Sequence, residues 1–180
     1  MPKQKLLIGR LLLMSLFSCG VVGIVWASRP PLTWEDVLWQ ISHQYPTVRT
    51  MTRQELVEQL KGEHPPMLID ARTADEYVLS HLPGAIWAAQ WQAPSVTQPI
   101  VVYCSVGWRS AELCAQLQRV GYEQVWNLNG GIFVWAHAQM PLEQAGRAVR
   151  VVHPYNARWG ELLDRELHPS PGAHESVADE

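Results

Sequence analysis

The segment Tyr103-Cys104-Ser105-Val106-Gly107-Trp108-Arg109-Ser110 places a cysteine, a glycine, an arginine and a serine within one short arc. It follows an apolar run, Ile100 to Tyr103, and precedes a helical pattern from about Arg109 to Val120. A cysteine at the carboxyl end of a strand stands where open α/β sheets bind their ligands. The helix that follows begins with N–H groups that have no intrahelical partner. Gly107 permits the positive φ or close backbone approach that a curled loop needs. If the N–H groups of residues 105 to 110 turn inward, they form a nest for an anion. A thiolate at that point would be stabilised. Cys104 is therefore a candidate nucleophile, and Ser105, Val106, Gly107, Trp108, Arg109 and Ser110 are its candidate binding loop. The plainer alternative is a small, buried cysteine that merely ends a strand.

The elements around the loop follow an α/β rhythm. Thr47 to Met51 reads as a short extended stretch, and Thr52-Arg53-Gln54-Glu55 caps a helix carrying Leu56, Val57 and Leu60. Met67-Leu68-Ile69, Ala85 to Ala88, Ile100 to Tyr103 and Gln124 to Leu128 read as strands. Helices are expected at Ala74 to Ser80, from about Arg109 to Val120, and at Ile132 to His137 after Gly130-Gly131. Strands separated by helices imply an α/β domain with a mostly parallel, roughly five-stranded sheet covered on both faces.

Outside this domain the chain changes character. Lys3, Lys5 and Arg10 give residues 1–10 a basic flank, and residues 11–28 carry no charge. Eighteen uncharged, mostly apolar residues are enough to span a bilayer as an N-terminal hydrophobic helix. The basic flank would stay cytoplasmic and send the rest of the chain to the extracytoplasmic side. Val25-Trp26-Ala27 also fits a cleaved signal, and Leu16-Phe17-Ser18-Cys19 a lipoprotein box. Residues 29–46 form a linker and an amphipathic helix with Trp34, Val37, Leu38 and Ile41 on one stripe. That helix reads as packed on the domain, with an interfacial membrane helix as the alternative. Residues 145–168 form an extension in which Trp159, Leu162 and Leu163 suggest a short docked helix. Residues 169–180 are polar and contain Pro and Gly, as disordered tails do.

Composition narrows the function classes. The chain is 47% hydrophobic and 17% charged, which suits a packed core. A net charge of −3 without any basic cluster argues against nucleic acid as a partner. The three cysteines, Cys19, Cys104 and Cys114, make neither a disulfide framework nor a zinc motif. No pair of histidines has ligand spacing on one element, so no metal and no other cofactor is expected. Cys114 shares a helix face with Leu113 and Leu117 and reads as core.

Several segments together resemble a single rhodanese-like domain. They are Leu68-Ile69-Asp70-Ala71-Arg72, Glu76-Tyr77, His81-Leu82-Pro83-Gly84-Ala85-Ile86, the Cys104 loop, Gly121-Tyr122, Val125, Asn127-Leu128 and Gly130-Gly131-Ile132 to Trp135. The resemblance covers residues 47–144. Ser80 stands where the family usually has a glycine before its histidine. The resemblance implies a three-layer rhodanese fold and sulfur transfer: Cys104 takes sulfur from thiosulfate or from an organic or protein persulfide donor, then passes it to a thiol acceptor. It implies anion binding or loop locking by Arg109, capping or orientation by Ser110, and structural support from Asp70 and Arg72. Four residues separate Cys104 from Arg109, one fewer than in the related phosphatases, which favours sulfur over phosphate. The apolar Val106 and Trp108 favour a persulfide over thiosulfate as donor. The competing reading is a thiol sensor or protein-binding module on the same fold.

Overall fold

The computed structural model describes residues 30–92 and 95–170. The expected anchor or signal at 11–28, its basic flank and most of the polar tail lie outside the described residues. Among the described residues, no helix is long and apolar enough to cross a membrane.

Five short strands build the sheet: β1 (Thr50–Met51), β2 (Met67–Asp70), β3 (Ile86–Trp87), β4 (Ile100–Tyr103) and β5 (Val125–Leu128). They pair in the order β1-β5-β4-β2-β3, and every pairing is parallel. The central strand β4 is buried along its whole length, which is why it reads as an unbroken apolar run. Its side chains alternate between two layers. Val101 and Tyr103 join Leu68, Leu128 and Phe133 on one side, whereas Ile100 and Val102 meet Ile69, Cys114 and Leu117 on the other.

The helices are α1 (Trp34–Gln44), α2 (Arg53–Leu60), α3 (Ala74–Leu79), α4 (Trp108–Arg119) and α5 (Gly131–His137). Thr33, Thr52 and Thr73 cap the first three through their side chains. The last two caps are full boxes, closed by Glu55 and Glu76. The α1 helix buries Val37 and Ile41 in the main core, so it packs on the domain.

The C-terminal part differs from expectation in form. Its first element is an antiparallel hairpin, β6 (Leu142–Gln144) with β7 (Arg147–Val149), which crosses the expected boundary at 144. The expected short docked helix is a 3₁₀ helix, Trp159–Leu162, with Leu162 and the following Leu163 buried, and a second 3₁₀ turn follows at Arg165–Leu167. Leu163 between them is extended. Turns this short have little stability of their own; burial of Val152, Leu162, Leu163 and Leu167 in the main core holds them. Both flanks therefore share the core of the sheet, and the described residues from Leu32 onward cluster as one compact unit.

Tyr103 joins this core to the turn before β3, because its phenolic oxygen accepts the Leu82 N–H at 3.1 Å. Tyr103→Phe would leave that buried N–H unpaired and should cost about 1–3 kcal/mol in urea unfolding. An unchanged unfolding curve would show that the bond does not matter.

Candidate active site

Cys104 leaves β4 only 1% exposed. Three residues on, Gly107 adopts φ +107° as the N-cap of α4, and its N–H donates to Cys104 Sγ at 3.2 Å. A side chain would be strained at that φ. The loop's carbonyls are fixed by the start of α5: the Ile132 N–H donates to Cys104 O at 2.9 Å and the Phe133 N–H to Ser105 O at 3.1 Å. In a trans peptide the N–H opposes the C=O, so the Ser105 and Val106 amides face away from α5. This close approach needs Gly131, at φ +56°. A Cβ there would overlap the Cys104 carbonyl oxygen and lie 2.7 Å from that of Ser105.

Asn127 on β5 holds the far side of the loop. It accepts from the Ser110 hydroxyl at 2.7 Å and donates to Gly107 O at 2.9 Å. Ser110 thus orients the start of α4 through Asn127, while the cap itself is Gly107, which has no side-chain cap bond.

A buried carboxylate organises the rest. Glu76 Oε2 accepts from Arg109 Nη1 at 2.7 Å, and Oε1 accepts from Arg109 Nη2 at 2.8 Å and from Ser105 Oγ at 2.9 Å. The same side chain closes the Thr73 cap. Burial alone would raise the Glu76 pKa, but the Arg109 and Thr73 hydrogen bonds outweigh it and pull it from 4.5 to about 2. Burial likewise opposes the Arg109 charge, yet the bonds to Glu76, the Cys104 charge and the Glu76 charge hold its pKa above the ordinary value. The pair is ionised throughout the neutral range.

Cys104, Ser105, Val106, Trp108 and Arg109 line a cavity of about 110 Å³, joined by Tyr155 and Trp159 from the C-terminal extension. The Tyr155 ring lies 4.5 Å from the Arg109 guanidinium carbon. Trp108 meets Tyr45, just beyond α1, edge-on at 6.4 Å between ring centroids. Val106 is only 3% exposed and forms part of the wall. The outer aromatic rim is Trp108, Tyr155 and Trp159.

With this geometry in hand, comparison with known proteins is direct. The rhodanese-like domain family matches residues 52–138. A sulfurtransferase of Allochromatium vinosum is 31% identical over 101 residues, covering 53% of this chain and 94% of that protein. The chain belongs to the rhodanese-like family. A thiosulfate sulfurtransferase of Tolumonas auensis is 30% identical over 76 residues, 39% of this chain and 72% of the relative. The crystal structure of a Pseudomonas aeruginosa thiosulfate sulfurtransferase shares the fold at 21% identity, with a TM-score of 0.53 over 66% of this chain and 24% of that one.

The rhodanese-like match contains Glu76, Asn127, Gly131 and the whole Cys104 loop. Tyr45, Tyr155 and Trp159 lie outside it. Asp70 and Arg72 do not line the cavity. They form a wholly buried pair, with Arg72 Nη2 donating to Asp70 Oδ2 at 2.6 Å and Nε to Oδ1 at 2.9 Å. Arg72 also donates to Ser80 O, and its own carbonyl accepts from Trp87 Nε1. The pair thereby ties the end of β2 to the turn before His81. That histidine stacks on Tyr77 at 4.1 Å and bonds Tyr77 O through Nδ1. Cys114 is core: burial first, then the Cys104 charge, push its thiol pKa up.

Sequence reasoning did not single out Glu76, Asn127, Tyr155 or Trp159 as site residues. Glu76 had a local signal, the Thr73-Ala74-Asp75-Glu76 capping pattern, though that pattern shows only half its role. Asn127, a polar residue in a buried strand, was also visible as an anomaly. Tyr155 and Trp159 carried no local signal at all.

Two outcomes test this account. A pKa lowered in the folded state stabilises above the unfolded value, and that stability is lost as pH falls through the folded one. Glu76 should therefore contribute on the order of 3 kcal/mol, lost between pH 4.5 and about 2. Urea unfolding of Glu76→Gln should show a flatter pH dependence across that window; an identical slope would remove Glu76 from the account. Gly131→Ala should cost at least ~1–3 kcal/mol from backbone strain alone and displace the Cys104 loop, seen as an altered alkylation rate of Cys104. A native unfolding midpoint and native alkylation would contradict the packing argument.

Proposed function

We propose that the domain is a sulfurtransferase that carries sulfur as a persulfide on Cys104. The observation that supports this reading most is the placement of Cys104 Sγ at a cavity, in a six-residue arc to Arg109, with the Gly107 N–H on the sulfur. The loop therefore presents a backbone N–H directly to the sulfur that would act as nucleophile. The sulfurtransferase names of the A. vinosum and T. auensis relatives point the same way.

In the first half-reaction the Cys104 thiolate attacks the outer sulfur of thiosulfate or of a persulfide donor. The donor's S–S bond breaks, and its electron pair leaves on sulfite or on a thiolate. Cys104 keeps the transferred sulfur. In the second half-reaction an acceptor thiolate attacks that outer sulfur and regenerates the Cys104 thiolate. The loop amides are the groups available to hold the negative charge that develops at the attacked sulfur. Arg109 serves as the lock of this loop through Glu76, with Ser105 between them. Asp70 and Arg72 support the neighbouring turn.

The chain's placement is part of the same proposal. Residues 11–28 act as a membrane anchor or cleaved signal and put the domain on the extracytoplasmic side, a reading supported by the uncharged stretch behind Lys3, Lys5 and Arg10. Intact-mass measurement of protein from the membrane fraction should find the full chain if the anchor is retained. A soluble cytoplasmic protein of full length would refute export.

Intact mass also tests the chemistry. Incubation with thiosulfate or a hydropersulfide should add one sulfur atom to Cys104, reversed by a thiol acceptor and absent in Cys104→Ser. Failure of every donor to add sulfur would rule out transfer and favour the thiol-sensor or binding-module reading.

A further inference from the structure

We infer that Tyr155 and Trp159 select the sulfur donor, fitting the site to a sulfane sulfur carried on a small apolar group, such as an alkyl or aryl hydropersulfide, rather than to thiosulfate. This rests on Cys104 being the sulfur carrier.

Charge disfavours thiosulfate. Thiosulfate is a dianion, and Arg109 is the one cationic residue lining the cavity among the described residues. Its guanidinium is already committed. Both terminal nitrogens bond the Glu76 carboxylate, at 2.7 and 2.8 Å, one also bonds Ser105 Oγ at 2.9 Å, and the Tyr155 ring lies against it at 4.5 Å. Glu76 is ionised, so the two charges cancel within the wall. An entering dianion would find backbone amides but no free cation, and an uncompensated buried charge is costly. A hydropersulfide carries at most one negative charge, and the penalty is correspondingly smaller.

Shape acts in the same direction. Trp108, Tyr155, Trp159 and Val106 supply most of the wall, and the cavity measures about 110 Å³. A dry apolar cavity of about 150 Å³ takes up benzene, so this one, open at its mouth, suits a small hydrocarbon group on the leaving sulfur. Tyr155 is also held in a left-handed conformation, φ +66°. A non-glycine residue keeps such a conformation only where its surroundings impose it, and ligand clamps are among the places where this occurs. Here the Tyr155 N–H is fixed on His153 Nδ1 at 3.0 Å while the ring rests on Arg109.

The step balances without an added oxidant. A bond forms between Cys104 Sγ and the terminal sulfur of R–S–SH, and the R–S to SH bond breaks. The electron pair leaves on R–S⁻, and the hydrogen stays on the transferred sulfur. The apolar R group then sits between the rim aromatics, where a contact of this kind changes discrimination by roughly 10–200-fold.

The test is a donor ratio. Loading of Cys104 is followed by rapid quench and intact mass on the full chain, with benzyl hydropersulfide and with thiosulfate, giving a second-order rate constant for each. Wild type should load faster from benzyl hydropersulfide. Tyr155→Ala should lower the hydropersulfide-to-thiosulfate ratio about 10-fold, and Tyr155→Phe, which keeps the ring, should retain it. Trp159→Leu cuts the same wall independently and should lower the ratio as well. Faster loading of wild type from thiosulfate, or ratios unmoved in Tyr155→Ala and Trp159→Leu while Cys104 still loads, overturns donor selection and leaves sulfur transfer standing. Absence of sulfur on Cys104 from both donors overturns the two together.

Discussion

The site depends on one buried carboxylate. Glu76 enters as the third residue of α3, where it closes the Thr73 capping box, and the same two oxygens hold Arg109 and Ser105. Taking a carboxylate out of water is costly by several kcal/mol, and such a group persists only when its oxygens are fully satisfied by partners. Here a guanidinium, a hydroxyl and the cap's N–H and hydroxyl meet that requirement. The consequence is geometric: the position of a helix start on one strand connection determines the closure of the loop that follows another strand.

Around this anchor the loop is held by complementary backbone contacts. Gly131 lets α5 come close enough to take the Cys104 and Ser105 carbonyls, and Asn127 takes the Gly107 carbonyl. With these acceptors occupied, Gly107 can turn its N–H onto Sγ. The result is a cysteine held rigidly by packing and hydrogen bonds on regular elements, as preorganised sites require. Arg109 belongs to this frame. Its two forks are spent on Glu76, so loop locking is the role its geometry describes.

The segments on either side of the family match change the character of that frame. Tyr45, next to α1, steadies Trp108, while Tyr155 and Trp159 complete the cavity from the C-terminal extension. Beyond β7 the extension is held by Val152 and three leucines, Leu162, Leu163 and Leu167, buried in the main core. An element with little intrinsic structure can therefore still define the rim of a site, because burial elsewhere positions it.

The sequence alone determined the strand runs, the α/β order, the cap at Thr52, and the cysteine loop with its glycine. These are legible because they are local: apolar period, capping chemistry and the need for positive φ are all written within a few residues. It also marked Cys104 through Ser110 as a unit. Only the tertiary structure decided that Glu76 binds Arg109, across 33 residues of chain, and that Ser110 answers to Asn127. It alone brought Tyr155 to Arg109, and it added to the extension a hairpin strand and a second 3₁₀ turn. Contacts of that kind depend on which faces of the sheet come together, and the burial that brings them together is non-directional, leaving no pattern in the neighbouring residues.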